Sequence, residues 1–136
     1  MRTSSNTRFI CVLFAAMAIT VAACHPLNSP RGVVDRFIDA HYVRADLKTA
    51  ATFCTGLALD KVHQEMKLTE GQKIDAGTRQ PSIFYHLEAE NDLPDHIEYI
   101  FHATIDVPDG GSFERKWLIA ARKDGDTWKV SNYGEY

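Results

Sequence analysis

No stretch of this sequence is long and apolar enough to cross a membrane as a helix. The longest apolar run, Phe9 to Ala23, has 15 residues, and a spanning helix needs about 20. Blocks of like charge are absent and the formal net charge is −3, so the electrostatic basis for binding nucleic acid is missing. The common catalytic motifs are missing too. There is no Gly-x-Ser-x-Gly elbow, and Gly110-Gly111 is not followed by the Lys and Ser/Thr of a phosphate loop. His63 has Leu59 and Lys67 at its i±4 positions, where a helical metal site needs a second ligand. Internal repeats and low-complexity tracts are absent. With 45% hydrophobic and 24% charged residues, the composition excludes disordered, collagen-like and coiled-coil chains.

What is present begins with an export signal. Residues 1–8 carry Arg2 and Arg8 and no acid, the apolar run follows, and it ends in small residues. A basic head, a short apolar stretch and a small-residue end are the anatomy of a signal peptide. The ending Val21-Ala22-Ala23-Cys24 resembles the lipobox of bacterial lipoproteins. That resemblance implies cleavage after residue 23 and a diacylglycerol thioether on Cys24. Acyl chains contribute about 0.8 kcal/mol per buried methylene, and two or three of them hold a protein on a bilayer. His25 rather than Asp follows the cysteine, which by the same resemblance favours the outer membrane, facing the periplasm. Losing Arg2 and Arg8 takes the charge from −3 to −5, so the membrane hold comes from the lipid and not from basic residues. Cys11 leaves with the signal and Cys24 is lipidated. Only Cys54 remains, so no internal disulfide is expected. Cys54 lies in an apolar helical stretch and reads as a buried, inert thiol.

Residues 24–29 then form a tether of a few residues, and residues 30–136 form one domain, long enough to bury a core. Ser29-Pro30 is a helix start, with Ser as N-cap and Pro in the first turn. Val33, Val34, Phe37, Ile38, His41 and Tyr42 recur at helical spacing. Asp46 caps a second helix with Leu47, Ala50, Ala51 and Cys54 on one face, and Thr55-Gly56 breaks it. A third helix buries Leu59, Val62 and Met66 and turns Lys61, Gln64 and Glu65 largely outward. Residues 69–81 are a polar connection. The period then becomes two. Strands are expected at 82–89, 96–107, 112–122 and 127–133, joined by Pro108-Asp109-Gly110-Gly111 and Asp124-Gly125 turns. In the second strand Ile97, Tyr99, Phe101, Ala103, Ile105 and Val107 face inward. In the third, Trp117, Ile119 and Ala121 do. In the last, Trp128 and Val130 share the inner face, and Tyr133 and Tyr136 are left as candidates for an exposed contact surface. Helices first and hairpin-linked strands after them predict an α+β fold, with N-terminal helices packed on a curved antiparallel sheet of about four strands.

The stretch Asp39–Ala45 with Tyr42, the early three-helix block and the closing Asp-Gly-Asp-Thr-Trp-Lys-Val (residues 124–130) resemble the nuclear transport factor 2-like superfamily. The resemblance covers most of residues 30–134. It implies a cystatin-like cone: a curved sheet wrapped round the first helix, in some members with a pocket at the open end. In the ketosteroid-isomerase-like members an Asp base and Tyr or Asp donors line that pocket. Candidates for such a lining here are Asp35, Asp39, His41, Tyr42, Tyr85 and Tyr99, and the set singled out is Asp39, His41, Tyr42 and Tyr99. No position matches a catalytic motif residue by residue. Asp35 and Asp39 flank Arg36 as a solvated helix edge does. His96, His102 and Glu98 share the outer face of a strand, where polar residues collect in any case, so no metal ligand and no cofactor is assigned. The expectation is a membrane-anchored, non-enzymatic binding or accessory module with a protein partner in the envelope. The alternative is a small-molecule-binding or isomerase-like protein that uses the cone pocket.

Overall fold

The computed structural model describes residues 25–72 and 79–136. The expected signal peptide 1–23 and the lipidation site Cys24 lie outside the described residues. Helix α1 spans Pro30–Ile38. The Ser29 hydroxyl accepts from the Gly32 amide at 3.0 Å, and Pro30 occupies the first turn. Gly32 is required there, because a Cβ would stand 2.1 Å from the Pro26 carbonyl oxygen. The chain ahead of α1 folds back onto the domain. His25 Nδ1 lies 3.1 Å from the Asp35 carboxylate. Arg36 donates to the Leu27 carbonyl at 3.0 Å, and Asn28 reaches the Asp126 carbonyl at 3.4 Å.

Helical spacing predicts that α1 continues unbroken through Tyr42. The structure instead widens into a π-helical turn, Asp39–Val43. Such turns are rare and often sit where side chains must be re-aimed. Helix α2 (Leu47–Thr52) starts at Asp46, whose carboxylate accepts from the Thr49 amide at 3.0 Å. Helix α3 (Gly56–Leu68) follows after a short turn.

Four strands, β1 (Ser82–Asp92), β2 (Ile97–Val107), β3 (Gly111–Asp124) and β4 (Thr127–Glu135), form one antiparallel sheet in sequence order. The helices cover one face, as the period-two alternation predicts. Tyr99, Phe101 and Ala103 of β2 and Trp117, Ile119 and Ala121 of β3 are buried against Val33, Val34, Phe37 and Ile38 of α1 and Ala58 and Val62 of α3. The β4 edge is covered as well: the Thr55 amide donates to the Val130 carbonyl, and the Val130 amide to the Phe53 carbonyl, both at 2.8 Å. Cys54, on this segment, is buried as expected. Its Sγ lies 3.3 Å from the Ala50 carbonyl, and burial pushes its thiol up to about 12.

Two side chains on β4 depart from expectation. Opposite Ala120 and Ala121 the partners are Asn132 and Val130, so Ser131 is an extra residue in a β-bulge. A bulge shifts alternation by one. Val130 and Tyr133 therefore both face the core, and Tyr133 is buried rather than exposed. Trp128 keeps the inner side but lies at the margin, half-buried, with Lys123 Nζ 5.8 Å from its ring centroid. Tyr136 is exposed as expected.

Trp117 is the anchor of the interior and Trp128 a flap at its edge. Truncating a fully buried Trp typically costs about 3–5 kcal/mol. Trp117→Ala should therefore abolish or severely lower the thermal transition, whereas Trp128→Ala should cost roughly 1 kcal/mol. Melts of the two variants followed by circular dichroism check the order, and equal losses would contradict this core.

Candidate functional site

The π-helical turn brings His41 and Tyr42 together, with ring centroids 4.4 Å apart. Tyr42 turns into the cone and lies flat on Trp117, at 4.1 Å and an interplanar angle of 9°. Tyr85 and Phe101 crowd the same space, since the Tyr85 ring lies 5.9 Å from both Trp117 and Phe101. The cone is thus filled with aromatic rings. No charged side chain is buried among the described residues. The Tyr42 hydroxyl and the Trp117 Nε1 are buried without a hydrogen-bond partner. Burial pushes the Tyr42 hydroxyl far above the ordinary phenol range, and the Glu135 and Glu65 charges add to this.

His41 turns the other way, into a cage of Phe37 (5.0 Å, stacked), Tyr42 and Tyr133 (4.9 Å, edge-on). Its Nε2 lies 2.6 Å from Glu65 Oε2. The other Glu65 oxygen accepts from the Tyr133 hydroxyl at 2.7 Å. One carboxylate on α3 thus joins the π-helical turn to β4. One turn earlier on α3, Lys61 donates to Asn132 Oδ1 at 2.9 Å and to the Tyr133 carbonyl at 2.7 Å. Tyr133 is held protonated by burial first and by its bond to the Glu65 carboxylate second.

Beside this cluster, between the π-helical turn and the end of α3, is a cavity of about 400 Å³. His41, Leu47, Glu65, Leu68, Thr69 and Gln72 line it. It lies on the flank of the domain, walled by helical residues, by Ala45 in the connection before α2 and by Thr69 and Gln72 just past α3, and shares none of the rings Tyr42, Tyr85, Phe101 and Trp117 that fill the cone. Donating Nε2–H to Glu65 leaves the buried Nδ1 of His41 without a partner. His41 therefore orients the carboxylate, and Glu65, with 37% of its side chain exposed, is the group presented to a visitor.

The other sequence candidates stand apart. Asp39 is on the wet edge of the turn, its side chain 51% exposed and paired with Arg44 Nε at 2.8 Å. Tyr99 is packed in the core beside Arg31, whose guanidinium carbon is 5.9 Å from its ring centroid. Arg31 and His41 are ten residues apart along the helical axis, about 15 Å, so Tyr99 belongs to the opposite end. Burial pushes its hydroxyl up to about 12. Asp35 accepts from Arg31 at 2.7 Å. His96 sits between Asp95 (2.7 Å) and Glu98 (3.4 Å), and its pKa is raised chiefly by the bond to Asp95. His102 stacks on His86 at 5.4 Å. Among the described residues no three potential metal ligands converge.

Glu65 and Tyr133 are the members that sequence reasoning does not find. Glu65 is an ordinary polar helix position 24 residues from His41, and no local spacing links them. Tyr133 is hidden by the bulge at Ser131.

No protein-family model matches the chain, and no curated protein matches it in sequence. Among solved structures it is similar to a Thiobacillus denitrificans chain described as a candidate calcium/calmodulin-dependent protein kinase type II association domain. The TM-score is 0.58 at 14% identity, covering 79% of this chain and 93% of that one. That likeness shows the fold, three helices followed by a curved four-stranded antiparallel sheet, an α+β arrangement consistent with the nuclear transport factor 2-like type.

Two outcomes are expected. Tyr133→Phe removes a hydrogen bond to a charged acceptor. After allowance for the partly exposed carboxylate it should cost about 1–2 kcal/mol in denaturant unfolding. An unchanged midpoint would mean that the bond does not form. The raised Tyr42 and Tyr133 hydroxyls also set a pH dependence. Their folded pKa values exceed the unfolded value near 10, so the stability they contribute is fully present below pH 10 and falls as pH rises above it. Melts between pH 8 and 11 should show that decline, and it should be smaller in Tyr133→Phe.

Proposed function

We propose that this chain is a lipid-anchored module of the bacterial cell envelope, held on the outer membrane facing the periplasm. In this reading it binds a partner or ligand rather than transforming one. The observation that carries the binding half is the filled cone. The Tyr42–Trp117 stack fills the interior between the first helix and the sheet, where the resemblance puts an isomerase-like pocket, and the imidazole beside it, His41, turns away to Glu65 on the flank. Chemistry of that class needs a buried ionisable group with a displaced pKa facing substrate space. The structural neighbour's designation as an association domain points the same way by fold-level analogy. The anchor half rests on Val21-Ala22-Ala23-Cys24 behind a basic head and a short apolar run.

Mass spectrometry of the mature N-terminal peptide tests the anchor. The expected product begins at Cys24 and carries diacylglycerol on its sulfur, and Cys24→Ser should leave an unprocessed precursor. A processed chain with a free Cys24 thiol would overturn the reading.

A further inference from the structure

We infer that the flank cavity between the π-helical turn and the end of α3 is a binding site for a small organic amine, its apolar body inside and its protonated nitrogen on Glu65. This deepens the binding half of the proposal above and does not depend on the anchor. At about 400 Å³ the cavity falls within the size range of small-ligand sites, roughly 300–1,000 Å³. Its wall is mixed in the way such sites are. Ala45, Leu47 and Leu68 supply apolar surface, and Thr69, Gln72, His41 and Glu65 supply a polar end.

Glu65 decides the sign of the ligand. Each of its oxygens already accepts one hydrogen bond, from His41 and from Tyr133. An ionised carboxylate has about four lone-pair sites, so acceptor capacity remains on both oxygens. Both existing bonds fix the carboxylate's orientation without supplying a fixed positive charge. Lys61, one turn earlier on α3, is spent on Asn132 and the Tyr133 carbonyl. Among the described residues no lysine or arginine pairs with Glu65. A protonated amine brings donors and the missing charge together, and charge-assisted bonds of this kind are about twice as strong as neutral ones. An anion of the same shape meets an oriented carboxylate and is repelled. A neutral alcohol can donate one hydrogen bond to the carboxylate but brings no charge.

The test uses the full-length chain in a non-ionic detergent and three probes that share one ring: benzylammonium, benzyl alcohol and benzoate. Binding is read by titration calorimetry and by the methyl NMR shifts of Ala45, Leu47 and Leu68. Benzylammonium should move those methyls and bind about tenfold or more tightly than benzyl alcohol, and benzoate should not bind. Glu65→Gln keeps the shape and removes the charge; its NH2 replaces one acceptor oxygen and can donate to the Tyr133 hydroxyl while the carbonyl still accepts from His41, and the amine should fall to the alcohol's affinity. Leu68→Trp adds bulk at a cavity-lining position that is 80% exposed, so the fold is undisturbed, and it should change the amine's affinity and the Leu47 and Ala45 methyl shifts on binding. Equal affinity for the three probes, amine binding indifferent to Glu65→Gln, or shifts confined to other methyls would each overturn the inference. None of these outcomes touches the modification state of Cys24, so the two readings fail separately.

Discussion

Much of the helical layer's placement on the sheet depends on the Glu65 carboxylate. It accepts from His41, on the turn that ends the first helix, and from Tyr133, on the last strand. With Lys61 gripping Asn132 and the Tyr133 carbonyl one turn away, α3 is fixed against β4 by polar contacts at two successive turns. These contacts do more than add enthalpy. Removing the carboxylate would leave two donors in a largely apolar cage, and an unmet buried donor costs about 1–3 kcal/mol. Apolar packing alone tolerates sliding of a helix over a sheet. A bridged carboxylate does not, because its two bonds hold only at one separation and one rotation.

The same tie explains how one turn of chain serves two purposes. Widening Asp39–Val43 sends Tyr42 inward to Trp117 and His41 sideways to α3. The inward ring fills the cone and the sideways ring orients the carboxylate. A regular helix through this stretch would aim these neighbours differently, and either the core or the flank would lose its filler.

Periodicity made most of the architecture legible. Alternation identifies the inner face of both central strands, and Ser29-Pro30 and Asp46 mark two helix starts that the structure confirms; it fails at the far end of the second strand, where the helices no longer cover the sheet and Val107, expected inward, is exposed. The failures share a cause. Tyr133 is a candidate for the surface from its place near the C-terminus, and plain alternation from Val130 would also turn it outward; the extra residue at Ser131 reverses that. Glu65 was read as an outward helix position because its partners, His41 and Tyr133, are 24 and 68 residues distant in sequence. Both are long-range facts. Local pattern reports burial well, but it does not report which distant group a polar side chain will meet. Of the four pocket candidates, His41 and Tyr42 share one neighbourhood, whereas Asp39 is solvated and Tyr99 lies at the other end of α1.

The segment ahead of α1 bears on mechanics rather than chemistry. Residues 25–29 are pinned by His25 to Asp35, by the Leu27 carbonyl to Arg36 and by Asn28 to the β3–β4 turn at Asp126. They run as a strap along the domain, tied at one end to the first helix and at the other to the β3–β4 turn. The strap joins the start of the domain to a hairpin near its end, about a hundred residues later in sequence, so the two ends of the fold are clasped together and should open together.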